Sequence, residues 1–231
     1  SLLYGAINAI VCAPVMIGFA AIIFRNHAFH DDPATYAKLV KLVLFSSAVH
    51  QAVLAASSTL PFAIGQVQDA GLIFLAKMAD DLVGELHERA APPADVYATV
   101  LVTLSLSTAA LGVALIVTGR MRLAGLVQFL PLPVVGGYLA FIGLYCLEAG
   151  ISLMSGVSVT GLFGLDAPAE WAALLHRGPL LATLPGLAAG VGITAVVQRF
   201  DHFLVLPGLL IALPLGFFAA TTALGYSLED L

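Results

Sequence analysis

Ser57–Met78 reads SSTLPFAIGQVQDAGLIFLAKM. The run is mostly apolar, yet Pro61, Gly65, Gln66, Gln68 and Asp69 interrupt it at its middle. A helix starting near Gln66 and ending near Met78 rises only about 20 Å at 1.5 Å per residue. That falls short of a hydrocarbon core of about 30 Å. Non-helical backbone must cross the remaining depth, and a bilayer tolerates such backbone only inside protein or beside a water-filled cavity. Secondary transporters build substrate sites from half-helices of this kind. The stretch therefore predicts a membrane transporter with a broken third helix.

The composition agrees with a membrane-embedded chain. Hydrophobic residues make up 60% of it and charged residues 10%, against about 25% charged in soluble domains. Mean hydropathy is +1.02. The polar surface needed to coat a soluble globule of this size is missing, so the chain reads as an all-α integral membrane protein. Cys12 and Cys146 both lie in apolar runs and read as packing thiols. The net charge of −5 implies no nucleic-acid partner. No basic leader with a cleavage site precedes the first apolar run. The chain opens without Met and stops after Leu231, which fits an excerpt of a longer protein.

About seven spans are expected. They run from about Leu2 to Phe24, Leu39 to Ser57, Leu60 to Met78 (the broken one), Val96 to Thr118, Leu132 to Met154, Pro179 to Val197 and Phe203 to Leu224. The charged stretches between them, HDDPATYAK, ADDLVGELHER and QRFDH, read as loops. Within the second of these, Asp80 to Ala91 reads as a short interfacial helix. Trp171, with Glu170, His176 and Arg177, reads as an amphipathic stretch at headgroup level. An odd number of spans puts the chain ends on opposite sides, as in one half of an inverted-repeat transporter.

A helix N-terminus carries unpaired N–H groups and about half a positive charge. In a low-dielectric cavity it attracts an anion without a basic side chain. Gly65, Gln66 and Val67 are expected to offer those N–H groups, with Gly65 allowing close approach and Gln66 and Gln68 adding amide donors. Pro14 frees a backbone carbonyl near the middle of the first span. Asp69, in the first turn of the half-helix, admits three readings: a proton-coupling carboxyl, a counter-ion for a cationic substrate, or a cap of the helix. Glu148 lies toward one end of the fifth span, where snorkelling to the interface is the expected structural reading. His50, Gln51 and Asn8 read as makers of interhelical hydrogen bonds.

Taken in order, several pieces resemble the amino-terminal half of the SulP, or solute carrier 26, anion transporters. The first is NAIVCAPVMIGFAAIIF in the first span. The second is SSTLPFAIGQVQDAG at the break. The third is GLVQFLPLPVVGGYLAFIGL around the start of the fifth span, and the last is FLVLPGLLIALPLGFF in the seventh. The resemblance implies a uracil-permease-like fold of seven plus seven helices in two inverted repeats. Residues 1–124 would be core-domain part and residues 125–231 gate-domain part, with the second repeat and a STAS domain downstream. It implies that Val15 and Phe19 line the site with Pro14, Gly65, Gln66, Val67 and Gln68. The family often carries a glutamine where Val15 stands, so the polar contact is missing here. The implied activity is secondary active transport of small inorganic anions such as sulfate by alternating access, with Asp69 the coupling candidate, no cofactor and no metal. The implied partners are the anion, the lipid bilayer, the second repeat and a second copy in a homodimer.

The family's orientation places Arg120, Arg122 and Arg199 inside, whereas the positive-inside rule favours the end bearing Arg25, Lys38, Lys41, Lys77, Arg89 and Arg177. Two other functions share parts of this pattern. Asp69 motivates the same fold carrying an amino acid or another cationic or zwitterionic solute, and an ion channel is the alternative of another class. No HExxH, no GxSxG and no pair of catalytic acids occurs in the spans, so no enzyme is expected.

Overall fold

Apolar runs of spanning length, bounded by caps and prolines, become long helices. The computed structural model describes residues 2–59, 64–123, 125, 129–157, 159, 167–223 and 225. The described residues form eight α-helices and no strand: α1 Leu2–Ile23, α2 Pro33–Ser57, α3 Asp69–Glu88, α4 Pro93–Arg120, α5 Leu132–Ser155, α6 Ala167–Leu174, α7 Arg177–Arg199 and α8 Val205–Ala223. A 3₁₀ turn at His27–Phe29 joins α1 to α2. Six helices (α1, α2, α4, α5, α7 and α8) are long and apolar enough to cross a membrane. By length and composition this is a multi-pass, all-α membrane protein. Six of the seven expected spans match these helices, while the third, Leu60–Met78, is not among the candidates, and α6 occupies the stretch around Trp171. Leu60 and Pro61 lie outside the described residues.

Local chemistry sets the helix ends. Pro33 stands at the first position of α2, where its missing N–H costs nothing. Asp32 caps the helix, accepting from the Ala34 and Thr35 amides and from the Thr35 hydroxyl at 2.6 Å. These bonds, the hydroxyl's first among them, hold the Asp32 carboxyl below the ordinary aspartate range. The cap explains why α2 starts six residues before the expected Leu39. α5 ends at Gly156, whose φ of 70° suits glycine.

α3 departs most from the sequence reading. It begins at Asp69 rather than Gln66 and continues to Glu88, so the expected interfacial helix at Asp80–Ala91 is no separate element. Every third or fourth residue keeps one side in the core: Leu72, Ala76, Ala79 and Val83 are buried. The charges that suggested a loop are paired. Asp80 accepts from Arg25 Nε at 2.9 Å and Nη2 at 2.6 Å, while Lys77 pairs with Asp81 and Arg89 with Glu85 one turn apart. The helix closes in a Schellman motif, with Ala91 N–H bonded to Leu86 O and Ala90 N–H to His87 O, both at 3.0 Å. Ala90 holds the left-handed position at φ 51°, which glycine adopts without strain. Ala90→Gly is expected to raise stability by about 1 kcal/mol, readable as a higher thermal midpoint of the purified protein.

The main core joins α1, α3 and α4. Met16, Leu72 and Val100 are among its fully buried side chains. Lipid is as apolar as leucine, so close packing rather than transfer from water holds such helices together. Ala76 and Ala79 let α3 approach its neighbours closely. At one end of the bundle, Phe24, Phe29 and Tyr97 form an aromatic cluster, and the Tyr97 hydroxyl donates to Ala28 O at 2.7 Å. That bond ties the start of α4 to the turn after α1. α5 packs on α3, α1 and α7, and α8 on α1 and α7.

Candidate functional site

The start of α3 can be placed by counting along neighbouring helices. Asp80 follows Asp69 by eleven residues, and Arg25 follows Pro14 by eleven. The Arg25–Asp80 ion pair therefore stands about 16 Å along each helix from Asp69 and from Pro14. Arg25 closes the apolar run of α1, so the pair marks one face of the span. Half of a hydrocarbon core of about 30 Å is about 15 Å. Asp69 and Pro14 thus lie at matching levels on two helices that pack together.

The chain entering α3 is docked on α2. Gly65 is buried, and its N–H donates to Gln51 Oε1 at 2.9 Å. A Cβ at Gly65 would stand 2.7 Å from the His50 carbonyl carbon and oxygen and 2.8 Å from the Gln51 nitrogen. Backbone touches backbone there, which only glycine permits. The close approach expected of Gly65 is thus made to α2, and Gln51 takes its N–H. The expected bonding role of Gln51 is met by a bond to this segment. Asn8 differs from expectation, accepting from the Cys12 thiol within α1 at 3.3 Å.

The later helix start moves the free donors. Gln68 is the cap residue, with extended backbone and no side-chain cap bond. Leu72 N–H bonds Gln68 O at 2.9 Å. The N–H groups of Asp69, Ala70 and Gly71 are then the ones without an intrahelical carbonyl, in place of those at 65–67. Around this terminus, Val15 and Val67 pack against the core that contains buried Phe19. Three of the expected site residues are thus brought into one cluster. Pro14 is exposed, and α1 runs through it without a break.

Three polar side chains remain near the helix start. Gln66 is half-buried and its Oε1 is buried without a hydrogen-bond partner. Gln68 and Asp69 are exposed. The Asp69 carboxylate lies within electrostatic range of the Cys146 thiol on α5. Among the described residues no group of three or more His, Cys, Asp and Glu side chains is arranged to hold a metal. Two surface grooves among the described residues lie elsewhere, one along α4 and one of about 550 Å³ between α5 and α7.

Sequence reading missed one residue. Glu148 does not snorkel: it is 9% exposed, and its Oε1 is buried without a partner. The signal available was its neighbour Ala149, a small residue that is buried in the core. Comparison with protein-family models, with curated proteins and with solved structures gives no match to this chain.

Proposed function

We propose that this chain belongs to a secondary active carrier of small inorganic anions, sulfate-like in charge and size, and that it forms one repeat of a SulP-type fold. One observation carries the reading: extended backbone gives way to a helix at Asp69, level with Pro14 of α1, near Gln66, whose buried Oε1 has no hydrogen-bond partner. Such an end supplies N–H donors and the positive pole of the helix dipole at a place where lipid supplies neither. Gln66 presents an acceptor oxygen or, with its amide turned over, two N–H donors. Weak, neutral donors suit a carrier, because the anion must leave as readily as it enters. In this account the part within 1–124 carries the site and the part within 125–231 forms the gate against which it moves.

Reconstituted in liposomes, the full-length protein is expected to take up labelled sulfate saturably and without single-channel conductance. Asp69→Asn is expected to change the rate of that uptake. Failure to transport every small anion tested would reject the reading, and unitary currents would favour a channel.

A second reading draws on Asp69. Its exposed carboxylate, together with the Gln66 oxygen, makes an acceptor pair suited to a cationic or zwitterionic solute. In that case arginine competes for uptake, and Asp69→Asn removes the competition.

A further inference from the structure

Among the described residues Glu148 is the one buried charged side chain. It lies seven residues before the end of α5 at Ser155, about 10 Å inside the helix. Its neighbour Ala149 belongs to the core shared with α1, α3 and α4. The carboxyl group is therefore held inside the bundle rather than at its rim.

Arg25, just past the end of α1, spends two hydrogen bonds on Asp80, and Cys12 on α1 donates to Asn8. α3 carries the acids Asp69, Asp80, Asp81, Glu85 and Glu88, the cation Lys77, which pairs with Asp81, and His87 in its last turn. On α5 itself, Tyr145 and Cys146 are neighbours in sequence, and Tyr145 lies within electrostatic range of Arg25 and Asp80. On α7 no titratable side chain stands between Gly178 and Gln198. Among the described residues no cation pairs with Glu148, and its Oε1 has no hydrogen-bond partner. A metal ion is commonly held by several carboxylate or other side-chain ligands, and among the described residues Glu148 belongs to no group of three or more His, Cys, Asp and Glu side chains arranged for one. A single proton needs no second ligand. It removes the charge and converts the unmet acceptor into a donor.

We propose that Glu148 is the proton-binding site of this carrier, taking up one H⁺ from water at its carboxylate and releasing it once per cycle. The inference rests on the transport reading for its place in a cycle, but proton binding itself does not. With the proton on, the neutral side chain fits the apolar contact of α5 with α1 and α3. With the proton off, the carboxylate requires water, and the contact must open to admit it. Protonation would then be tied to the relative movement of the site-bearing helices and α5.

A hydrophobic carbodiimide tests this. The reagent adds to a protonated carboxyl: the carboxyl oxygen bonds the central carbon and the proton passes to a reagent nitrogen. In purified full-length protein, mass spectrometry should find the adduct on Glu148 at mildly acidic pH. It should decline as pH rises and be absent in Glu148→Gln. In liposomes, Glu148→Gln should lose uptake of labelled sulfate driven by a pH gradient while keeping sulfate–sulfate exchange. Glu148→Asp, which still titrates, should keep the gradient-driven component. No adduct at any pH, an adduct indifferent to pH, or a Gln variant still driven by the gradient would overturn the proposal. Absence of sulfate uptake in every variant, with the pH-dependent adduct intact, would reject the anion reading and leave Glu148 as a proton site.

Discussion

Gly65→Ala is expected to lower stability by about 1–3 kcal/mol, the usual cost of forcing a methyl group into a filled space, and to abolish uptake. The added Cβ would meet the His50 carbonyl at 2.7 Å. That neighbour is backbone inside α2 and cannot swing away as a side chain could. The entering segment must lift off α2, and lifting it breaks the Gly65–Gln51 hydrogen bond. Asp69 and the first turn of α3 would then lose the contact that sets their depth. Gly71→Ala is the control. A Cβ there meets nothing within 4 Å, and alanine favours a helix by about 0.5–1 kcal/mol over glycine. Thermal unfolding of the two variants in detergent, with uptake measured in parallel, checks the pair. Equal stability of both would show that the close approach to α2 does not hold the segment.

Gln66→Leu is expected to move stability and transport in opposite directions. A buried polar atom left without a partner costs about 1–3 kcal/mol, and leucine removes it at similar volume. The variant should unfold at a temperature equal to or above that of the parent. If the amide contacts the passing solute, uptake should nevertheless be lost. A merely structural glutamine gives a different pattern, in which activity follows stability. Measuring sulfate binding by scintillation proximity separates a lost site from a blocked cycle. A Gln66→Leu protein that carries sulfate at the parental rate would remove Gln66 from the site.

The spanning helices were largely legible in the sequence. Leucine-rich runs bounded by Arg25, Arg120 and Arg199 have no stable alternative to membrane helices, and α5 begins at the expected Leu132. α2 was read six residues short because polar Thr35 and Lys38 masked a start that Asp32 and Pro33 define by capping. α3 was read ten residues short for a related reason. Asp80, Asp81, Glu85 and Glu88 look like a loop until Arg25, Lys77 and Arg89 are seen beside them. The Arg25–Asp80 pair joins residues 55 apart in sequence, which no local pattern announces.

The candidate site was legible in part. Polar residues within an apolar run marked a helix start, and α3 begins three residues after the expected Gln66 and ends ten residues after the expected Met78. The partner of Gly65 was not visible. A glycine before a half-helix suggests room for a ligand as readily as room for another backbone, and only the fold brings in His50 and Gln51. Glu148 was hidden for the opposite reason. Position along a helix suggests depth, but which face a residue turns toward its neighbours is settled by packing.

The central claim places the Gln68–Asp69 junction near mid-depth and in contact with water. Spin labels at residues 64–72, in a protein with Cys12 and Cys146 replaced, report both properties through power saturation with oxygen and a polar nickel chelate. The account predicts that the labels at 66, 68 and 69 lie near the bilayer centre, as calibrated on lipid labels, yet remain accessible to the chelate. Adding sulfate should reduce that access. Labels at the centre reached only by oxygen, or labels at headgroup depth with full and sulfate-independent access, would contradict it.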